Sequence, residues 1–456
     1  MTCPISAPRV SLTLASIPMS ARSAAVSRRS STARLRCAKP RCRRRNADHV
    51  VLTRPIALQR RAAALAVAAC AWGAALAAAS GAAADSSLLV GMDTSITYVA
   101  GKAQPRAGGP GRVARVGVVD SRLQLTWALP VALSYIGPPT SLAAVPGQPV
   151  ALVAGSSRVG GDVPAAFLPD RALTLVRWRG EVPAVQQTLE LGLQPASIGL
   201  HPDGRHALVA NRGDGTLSVL ELSAAGVRES ARVSIARAEE IVAHVEVAPD
   251  GRHALASLNQ SDAVVLLALD ADARPTVLHR ASLGRGPYVI RYLPGGRGAA
   301  VAHIGSNEIV FVDLDREALR VRQRITVDRV PEGLDLSPDG EWIAASCMHG
   351  FGVTDEHDAR FGQAGRVHLL RRNAAGYEPA QQLAVDGGPQ FAVFLSDGLH
   401  LVVAETGFRR LGLFRRNGAS AAFTRLPGAL TLPGEPVAAA RLVAESTAPA
   451  PASPLP

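Results

Sequence analysis

The stretch LHPDGRHALVANRGDGTLSVLEL, residues 200–222, decides the fold, because much of the chain consists of imperfect copies of it. The Pro-Asp-Gly at 202–204 predicts a tight turn, since proline presets the first turn position and glycine accepts a positive φ at the end. Alternating apolar residues flank this turn, and a period of two is typical of strands. A second turn at 211–215 leads into two further strands, which completes a four-stranded antiparallel unit.

The unit recurs along the chain at a nearly fixed spacing. The turn at position 202 returns 47 residues later at 249, then 45 residues later at 294 and another 44 later at 338. A Ser-Asp-Gly turn at 396 comes 58 residues after that, which indicates an insertion. His206 and His253 follow the turn arginine at equal positions, so we interpret them as features of the repeat rather than as ligands. A spacing in the mid-forties with four strands per unit predicts a β-propeller.

Counting the units predicts an all-β, seven-bladed propeller. Six inner strands are expected to start near Thr140, Ala196, Ala243, Tyr288, Glu332 and Gln390. A seventh start at 434–437 lies close to the end of the chain, and the outer strands that it lacks correspond to segments between 87 and 128. We therefore expect one shared blade to close the ring, with the C-terminal segment giving its inner strand and the N-terminal segment the rest.

The repeated pattern, a proline followed by alternating apolar residues and then Pro-Asp-Gly-Arg-x-Ala-Leu-Val-Ala-Asn, resembles the YVTN-repeat, lactonase-like seven-bladed propeller proteins of bacterial envelopes. The resemblance covers residues 86–444. It is specific for the fold, whereas propellers carry many unrelated functions. In lactonase-type propellers the activity is associated with a His, Glu and Arg set at the mouth of the channel, so the resemblance implies a site near the starts of the inner strands.

The positive charge of the chain is concentrated at its start. Residues 1–61 hold fourteen Lys and Arg and one acid, a net charge of +13, so the remainder of a chain of net charge +12 carries −1. The working domain has no basic excess, and no nucleic-acid partner is expected. We predict a leader over 1–84, the propeller over 85–444 and a disordered Pro/Ala tail over 445–456.

The segment 60–84 has the features of a secretory signal peptide, namely two arginines, an uncharged Ala/Leu run and small residues before Asp85. It predicts a periplasmic or secreted protein with no stable membrane span in its mature form. The alternatives are a lipid anchor at Cys70, a twin-arginine signal, a spanning helix, and an organelle lumen reached through a transit peptide in the first 58 residues. A start codon assigned too early would also account for those first residues.

Cys347 is the only cysteine outside the predicted leader. The working domain therefore has no disulfide, and covalent c-type haem, which needs Cys-x-x-Cys-His, is excluded. The sequence also has no Gly-rich phosphate loop and no nucleophile elbow. We expect no cofactor and a monomeric domain.

Three polar residues stand at the starts of successive inner strands: Tyr288, Glu332 and Gln390. We expect them to meet at one mouth of the channel, where they would form a ligand site or, with Glu332 as the general base, a catalytic site. Solvated loop residues are the alternative interpretation. His244 is one place later in its strand and is expected to face the other side, so the family's catalytic set is not carried across.

Glu246, Arg291 and Asp335 occupy one inner-strand position in successive blades. Their charges alternate, and adjacent blades would bring them close, so we expect a structural chain of interblade ion pairs. A channel that binds a charged ligand is the alternative.

The insertion at 347–365, CMHGFGVTDEHDARFGQAG, is the most unusual loop. It contains five side chains that are weak candidates for metal ligands, because their spacing matches no zinc or calcium motif: His349, Asp355, Glu356, His357 and Asp358. A solvated acidic loop is the alternative. The other long excursion, Gly155–Asp170, is expected to be a flexible connection.

The sequence favours an exported, non-catalytic propeller that binds a protein partner or a small ligand on the face carrying the 347–365 insertion. Whether the protein is an enzyme is left open. The first alternative is a lactonase-type hydrolase with its site at the channel mouth, and the second is an accessory subunit of an envelope redox enzyme.

Overall fold

The structure, a computed structural model, describes seven segments of the chain: residues 86–99, 102–106, 108–133, 136–160, 166–315, 318–418 and 421–443. The predictions for the leader, for Cys70 and for the tail at 445–456 lie outside the described residues. Within the described segments, no helix combines the length and the apolar character needed to cross a bilayer.

The chain forms seven four-stranded antiparallel sheets, the blades of a propeller, as predicted. Strands are given from the innermost outward. Blade 1 consists of Glu435–Arg441, Ser87–Asp93, Arg112–Val119 and Arg122–Pro130. Blade 2 consists of Leu142–Ala144, Val150–Gly160, Ala166–Arg179 and Val182–Glu190. Blade 3 consists of Pro195–Leu200, His206–Asn211, Thr216–Ser223 and Gly226–Ser234.

Blades 4 to 7 continue in chain order. Blade 4 consists of Val242–Val247, His253–Leu258, Ala263–Leu269 and Pro275–Ser282, and blade 5 of Pro287–Tyr292, Gly298–His303, Glu308–Asp315 and Ala318–Thr326. Blade 6 consists of Pro331–Leu336, Trp342–Cys347, Arg366–Asn373 and Gly376–Ala384. Blade 7 consists of Ala392–Phe394, His400–Glu405, Arg410–Arg416 and Phe423–Arg425. The short strand Leu430–Thr431 also pairs with the third strand of blade 7. A separate hairpin, Ile96–Val99 and Lys102–Pro105, and two 3₁₀ turns, Ala238–Glu240 and Asn259–Ser261, complete the described elements.

Blade 1 closes the ring in the way that the sequence predicts. Its inner strand comes from the C-terminal part of the chain and its other three strands from the N-terminal part. Leu88 pairs with Arg441, and Asp93 pairs with Glu435. This antiparallel ladder covers the edge that blade 1 would otherwise expose, and an exposed edge is a template for aggregation.

The hydrophobic core lies between the blades. The described residues form seven buried clusters, and each is shared by two neighbouring blades. Between blades 3 and 4, for example, Leu208 and Val219 pack with Val245 and Ala256. Alternating side chains of the second strand in each blade therefore face two different neighbours, which is why these strands are buried on both faces.

The starts of the inner strands are bulged. In blades 3, 4 and 6 the pairing register shifts at the second residue of the inner strand, so Ala196, Ala243 and Glu332 are left out of the ladder. A bulge bends the strand and re-aims a side chain. In blade 6 the re-aimed side chain is the carboxyl of Glu332.

The excursion Gly155–Asp170 is not simply a flexible connection, so this prediction was wrong. The second and third strands of blade 2 continue into it as a long hairpin, in which Ser157 pairs with Pro169 and Gly160 with Ala166. Residues 161–165, at the tip, lie outside the described residues. The sequence does not indicate that these two strands stay paired beyond the length of their neighbours in the sheet.

Candidate functional site

An axial channel runs through the ring of inner strands. A cavity of about 380 Å³ within it is lined by residues from all seven inner strands. Four charged side chains enter this cavity: Glu246, Arg291, Asp335 and Arg441. The rest of the lining is mainly apolar, including Ala143, Val393 and Ala440, so these charges meet one another rather than bulk water.

The charges form a continuous chain around one side of the channel. Arg291 lies between Glu246, with Nη1 3.0 Å from Oε2, and Asp335, with Nε 3.8 Å from Oδ1. Asp335 in turn accepts hydrogen bonds from Nη2 of Arg441 at 2.6 Å and from the backbone N–H of Phe394 at 2.9 Å. The three residues predicted to pair are therefore adjacent in the structure.

Arg441 is the member of this chain that the sequence analysis missed. It stands at the end of the closing strand of blade 1 and reaches past blade 7 to blade 6. Its Nε donates to the carbonyl of Phe394 at 2.6 Å, and its Nη2 donates to the carbonyl of Leu336 at 2.8 Å. The sequence does show an arginine at the last position of the closing strand. It does not show the partners of this arginine in blade 6, because they lie about a hundred residues earlier in the chain.

His244 belongs to the wall of the channel. It is fully buried on the same face of the inner strand as Glu246, with its Nε2 3.9 Å from Oε2 of that residue. Neither ring nitrogen has a hydrogen-bond partner among the described residues. Burial, assisted by the positive charge of Arg291, holds the pKa of His244 well below its usual range, so its imidazole is neutral. The sequence analysis did not anticipate a histidine on the face that lines the channel.

Tyr288, Glu332 and Gln390 occupy the start of the inner strands in blades 5, 6 and 7. Gly333, next to Glu332, lies so close to blade 7 that a Cβ there would stand 2.6 Å from the carbonyl oxygen of Gln390. Gln390 is buried, and its Oε1 receives no hydrogen bond from any described residue. Tyr288 is half-buried and packs against the cluster between blades 5 and 6. The predicted group thus stands in adjacent blades at one end of the channel.

The carboxyl of Glu332 has an unusual protonation state. Burial raises its pKa from 4.5 to about 7, and the nearby guanidinium of Arg329 opposes this rise without cancelling it. No ion pair within 4.0 Å involves Glu332 among the described residues. A carboxyl of this kind exchanges a proton near neutral pH, which is the property of a general acid or base.

Arg329 also fixes the base of the 347–365 insertion. Its Nε donates to the carbonyl of His349 at 2.7 Å, and its Nη2 donates to the carbonyl of Phe351 at 2.6 Å. The preceding residue, Asp328, lies between two buried histidines. Its carboxylate is 3.0 Å from Nδ1 of His349 and 2.8 Å from Nε2 of His368. The insertion is therefore anchored directly beside Glu332.

The structure does not bring the predicted metal ligands of the insertion together. His349 is buried against Asp328, and its Nε2 is 2.8 Å from Oε1 of Gln363. Asp355 and His357 are exposed, and Asp355 caps the backbone N–H of His357 at 2.9 Å. Asp358 pairs with Arg360. These contacts are those of a hydrogen-bonded surface loop, and among the described residues the side chains of the insertion do not form a group of three metal donors.

Comparisons with known proteins agree with this architecture. A family model described as lactonase, seven-bladed β-propeller, matches residues 177–283. The periplasmic gluconolactonase of Pseudomonas aeruginosa is similar in structure, with a TM-score of 0.59 and 19% identity over 79% of this chain and 99% of that one. A Bacteroides uniformis protein provisionally named a 6-phosphogluconolactonase gives a TM-score of 0.56 and 18% identity over 78% and 99% of the two chains.

Residues 177–283 thus resemble the lactonase family of propellers, and the described residues form a seven-bladed propeller. At these identities the solved structures establish the fold alone. No curated protein matches the chain.

This propeller also has an apolar cavity of about 340 Å³ on the face that carries the insertion. Phe351 and Phe361 of the insertion line it together with Phe408 of blade 7. Phe361 and Phe408 are 50% and 54% exposed, which is unusual for phenylalanine. The guanidinium of Arg410 lies 5.2 Å from the centre of the Phe408 ring and pairs with Asp386 at the rim.

Proposed function

We propose that this lactonase-like propeller hydrolyses lactones, with Glu332 as the general base at the mouth of the channel. The observation that carries the proposal is the carboxyl of Glu332, a half-buried side chain whose pKa is raised to about 7 by desolvation in the surrounding protein. A base whose pKa is close to the working pH combines a useful ionised fraction with a strong driving force for proton transfer. The similarity to a gluconolactonase gives the substrate class.

The chemistry requires one water molecule and one ester bond. Ionised Glu332 takes a proton from water while the oxygen attacks the lactone carbonyl, which forms a tetrahedral oxyanion. Collapse of this intermediate breaks the ring C–O bond, and the leaving alkoxide receives the proton that Glu332 holds. The product is the open hydroxy acid, and Glu332 is again ionised.

One group near Glu332 favours a substrate that carries hydroxyl groups. The buried Oε1 of Gln390, in the adjacent blade, lacks a hydrogen-bond donor among the described residues. An unsatisfied buried polar atom costs about 1–3 kcal/mol. A sugar lactone could relieve that cost at Gln390 by donating a hydroxyl hydrogen, whereas an alkyl lactone could not.

The test is hydrolysis of a sugar lactone and an alkyl lactone by the purified protein. We expect Glu332→Gln to abolish turnover, because an amide cannot accept the proton of water. Glu341→Gln is the matched control, since Glu341 is a largely exposed carboxylate at the far end of the same blade. Turnover equal in the wild type and Glu332→Gln would contradict the proposal.

The pH dependence gives a second readout. The general base must be ionised, so kcat/KM should rise with pH through about 7, the pKa of Glu332. Any residual activity of Glu332→Gln should lack this rise of kcat/KM with pH. A profile that falls through neutral pH would assign Glu332 the role of an acid instead.

A second candidate function is binding without catalysis on the face of the insertion. The apolar cavity between Phe361 and Phe408 supports it, because ligand sites are concave and mostly apolar. An environment-sensitive apolar dye should bind the wild type and lose affinity in Phe361→Ser. Val182→Ser, at another exposed apolar position, is the control. Equal dye binding by all three proteins would dismiss this candidate.

The periplasmic or secreted location remains a proposal that rests on the features of 60–84. A protein partner, a monomeric state and a role beside an envelope redox enzyme likewise remain predictions. Fractionation of cells that express the full chain, followed by mass spectrometry of the mature N-terminus, would test the location.

A further inference from the structure

Three blades share the same hydrogen-bonded turn between their first and second strands. In blade 3 the Asp203 carboxylate accepts the N–H groups of Arg205 and His206 at 2.7 and 3.0 Å, and its other oxygen is 2.6 Å from Nδ1 of His206. Asp250 and His253 repeat this pair in blade 4, at 2.8 Å. Asp397 and His400 repeat it in blade 7, at 2.7 Å. The Asp–His pair therefore closes the turn and is structural.

Blade 3 adds a third side chain to this pair. His201 stands two residues before Asp203, where blade 4 has Ala248 and blade 7 has Leu395. Its Nδ1 is 3.0 Å from Oδ1 of Asp203. The donor atoms of His201, Asp203 and His206 all lie within 4.8 Å of one another, and no other such group is found among the described residues.

The tautomer of His201 makes this arrangement unusual. Its Nε2 is 2.7 Å from the carbonyl oxygen of Gly251 in blade 4, and a carbonyl can only accept, so Nε2 carries a proton. In the neutral ring Nδ1 is then an acceptor: it accepts the backbone N–H of Asp203 at 3.3 Å and also lies 3.0 Å from a carboxylate oxygen of that residue. A cation beside Nδ1 and the carboxylate would offset the repulsion between these two acceptors.

We propose that His201, Asp203 and His206 form a surface site for a divalent transition metal, and that its preferred ion is Zn²⁺. Two imidazoles and one carboxylate are a donor set that zinc takes, with bond lengths of about 2.0–2.2 Å. Two such ligands stand about 3 Å apart around one ion, which matches the separation of His201 Nδ1 and Asp203 Oδ1. The contact with Gly251 fixes the His201 ring, as an outer partner of a metal ligand does.

The surroundings leave room for the remaining ligands. The side chains of His201 and His206 are 14% and 10% exposed, whereas that of Asp203 is 32% exposed. The protein thus supplies three donors from one side, and water completes the coordination from the other. His206 also borders a cavity of about 390 Å³ between blades 2 and 3. This site is remote from Glu332 in the chain, and its test does not depend on lactone hydrolysis.

The experiment is a titration of the full chain with Zn²⁺ against a chromophoric chelator at neutral pH, with thermal melting as a second readout. We expect His201→Ala to weaken zinc binding by at least about tenfold, because even the loss of an outer partner has an effect of that size. His253→Ala is the control, since it removes a turn histidine, the counterpart of His206, from a blade without a third donor. Zn²⁺ should raise the melting temperature of the wild type and of His253→Ala, but not of His201→Ala.

Blade 4 shows that the fold accepts alanine at this position, and His201→Gln is a second variant that keeps a donor for Gly251. Loss of zinc binding in either folded variant supports the proposal. Equal zinc affinity in the wild type and in His201→Ala overturns it. A wild type that takes no zinc also overturns it.

Discussion

At the scale of single residues, Glu332 makes stability depend on pH. Its pKa is about 7 in the folded protein and 4.5 in a model peptide, so its favourable contribution is complete below 4.5 and is lost as the pH rises through about 7. The loss is at most about 3.5 kcal/mol, since one pKa unit corresponds to about 1.4 kcal/mol.

We therefore expect Glu332→Gln to be more stable than the wild type at pH 8 and nearly equal to it at pH 5. Urea unfolding at the two pH values measures the difference. The control is Glu341→Gln, which should show no such trend with pH. A Glu332→Gln variant that is less stable at pH 8 than at pH 5, relative to the wild type, would contradict the pKa assignment.

Arg441 is expected to matter more for stability than any exposed arginine. Its guanidinium bonds to Asp335 and to two backbone carbonyls, and both charged side chains are largely buried. Arg441→Ala should cost about 3 kcal/mol, because it leaves buried partners unpaired. Arg320→Ala breaks an exposed pair with Asp315 and should cost less than about 1 kcal/mol. Urea denaturation of both variants measures the two losses in the free energy of unfolding. Equal losses would mean that the ion pairs in the channel are effectively solvated.

Some of these residues can be predicted from the sequence, and others cannot. Glu246, Arg291 and Asp335 could be predicted because the repeat assigns them one position in successive blades. Arg441 and Asp328 could not. Arg441 pairs with a residue of another blade, and Asp328 pairs with a histidine forty residues later, contacts that no local pattern encodes. The pKa of Glu332 depends on burial, which the alternation of a strand does not specify at a bulge.

At the scale of elements, the 347–365 insertion depends on one arginine. Arg329 donates two hydrogen bonds to its backbone, and bonds from a charged donor contribute about 1.5–3 kcal/mol each. Arg329→Ala should therefore let the insertion open locally, with trypsin cleaving at Arg360 at least about tenfold faster. Arg371→Ala, on the third strand of the same blade, is the control and should not change the cleavage rate. Unchanged cleavage in Arg329→Ala would show that other contacts hold the insertion.

The strands themselves follow closely from the sequence. The inner strands start within two residues of the predicted positions, because proline, a period of two and the Pro-Asp-Gly turn act locally. The bulges and the long hairpin of blade 2 do not follow, since hydrogen-bond register is set by pairing between strands. The turn at 202–206 contains one feature that follows from the sequence and one that does not. Its Asp–His pair belongs to the repeat, but the contact of His201 with Gly251 arises only when blades 3 and 4 meet.

At the scale of the whole molecule, stability depends on the closing strand. A chain that ends at Leu432 would lack Glu435–Arg441 and so the partner of Ser87–Asp93. It would also lose the hydrogen bond from Thr406 to Pro436 and the contacts of Arg441. We expect this variant to aggregate through the uncovered edge, as measured by size-exclusion chromatography. A chain that ends at Val443 keeps every described residue and should elute and melt like the wild type. Folding of the shorter chain as a compact monomer would contradict the importance of closure.

The shared blade also sets an order in time. Leu88 and its partner Arg441 are separated by almost the entire domain, so they leave the ribosome roughly 20–70 s apart at ordinary rates of synthesis. Throughout that interval every finished blade belongs to an open arc, and the last few residues complete the circle. Any factor that binds unfolded chains therefore has the whole of synthesis in which to engage this protein, and formation of the final strand ends that interval.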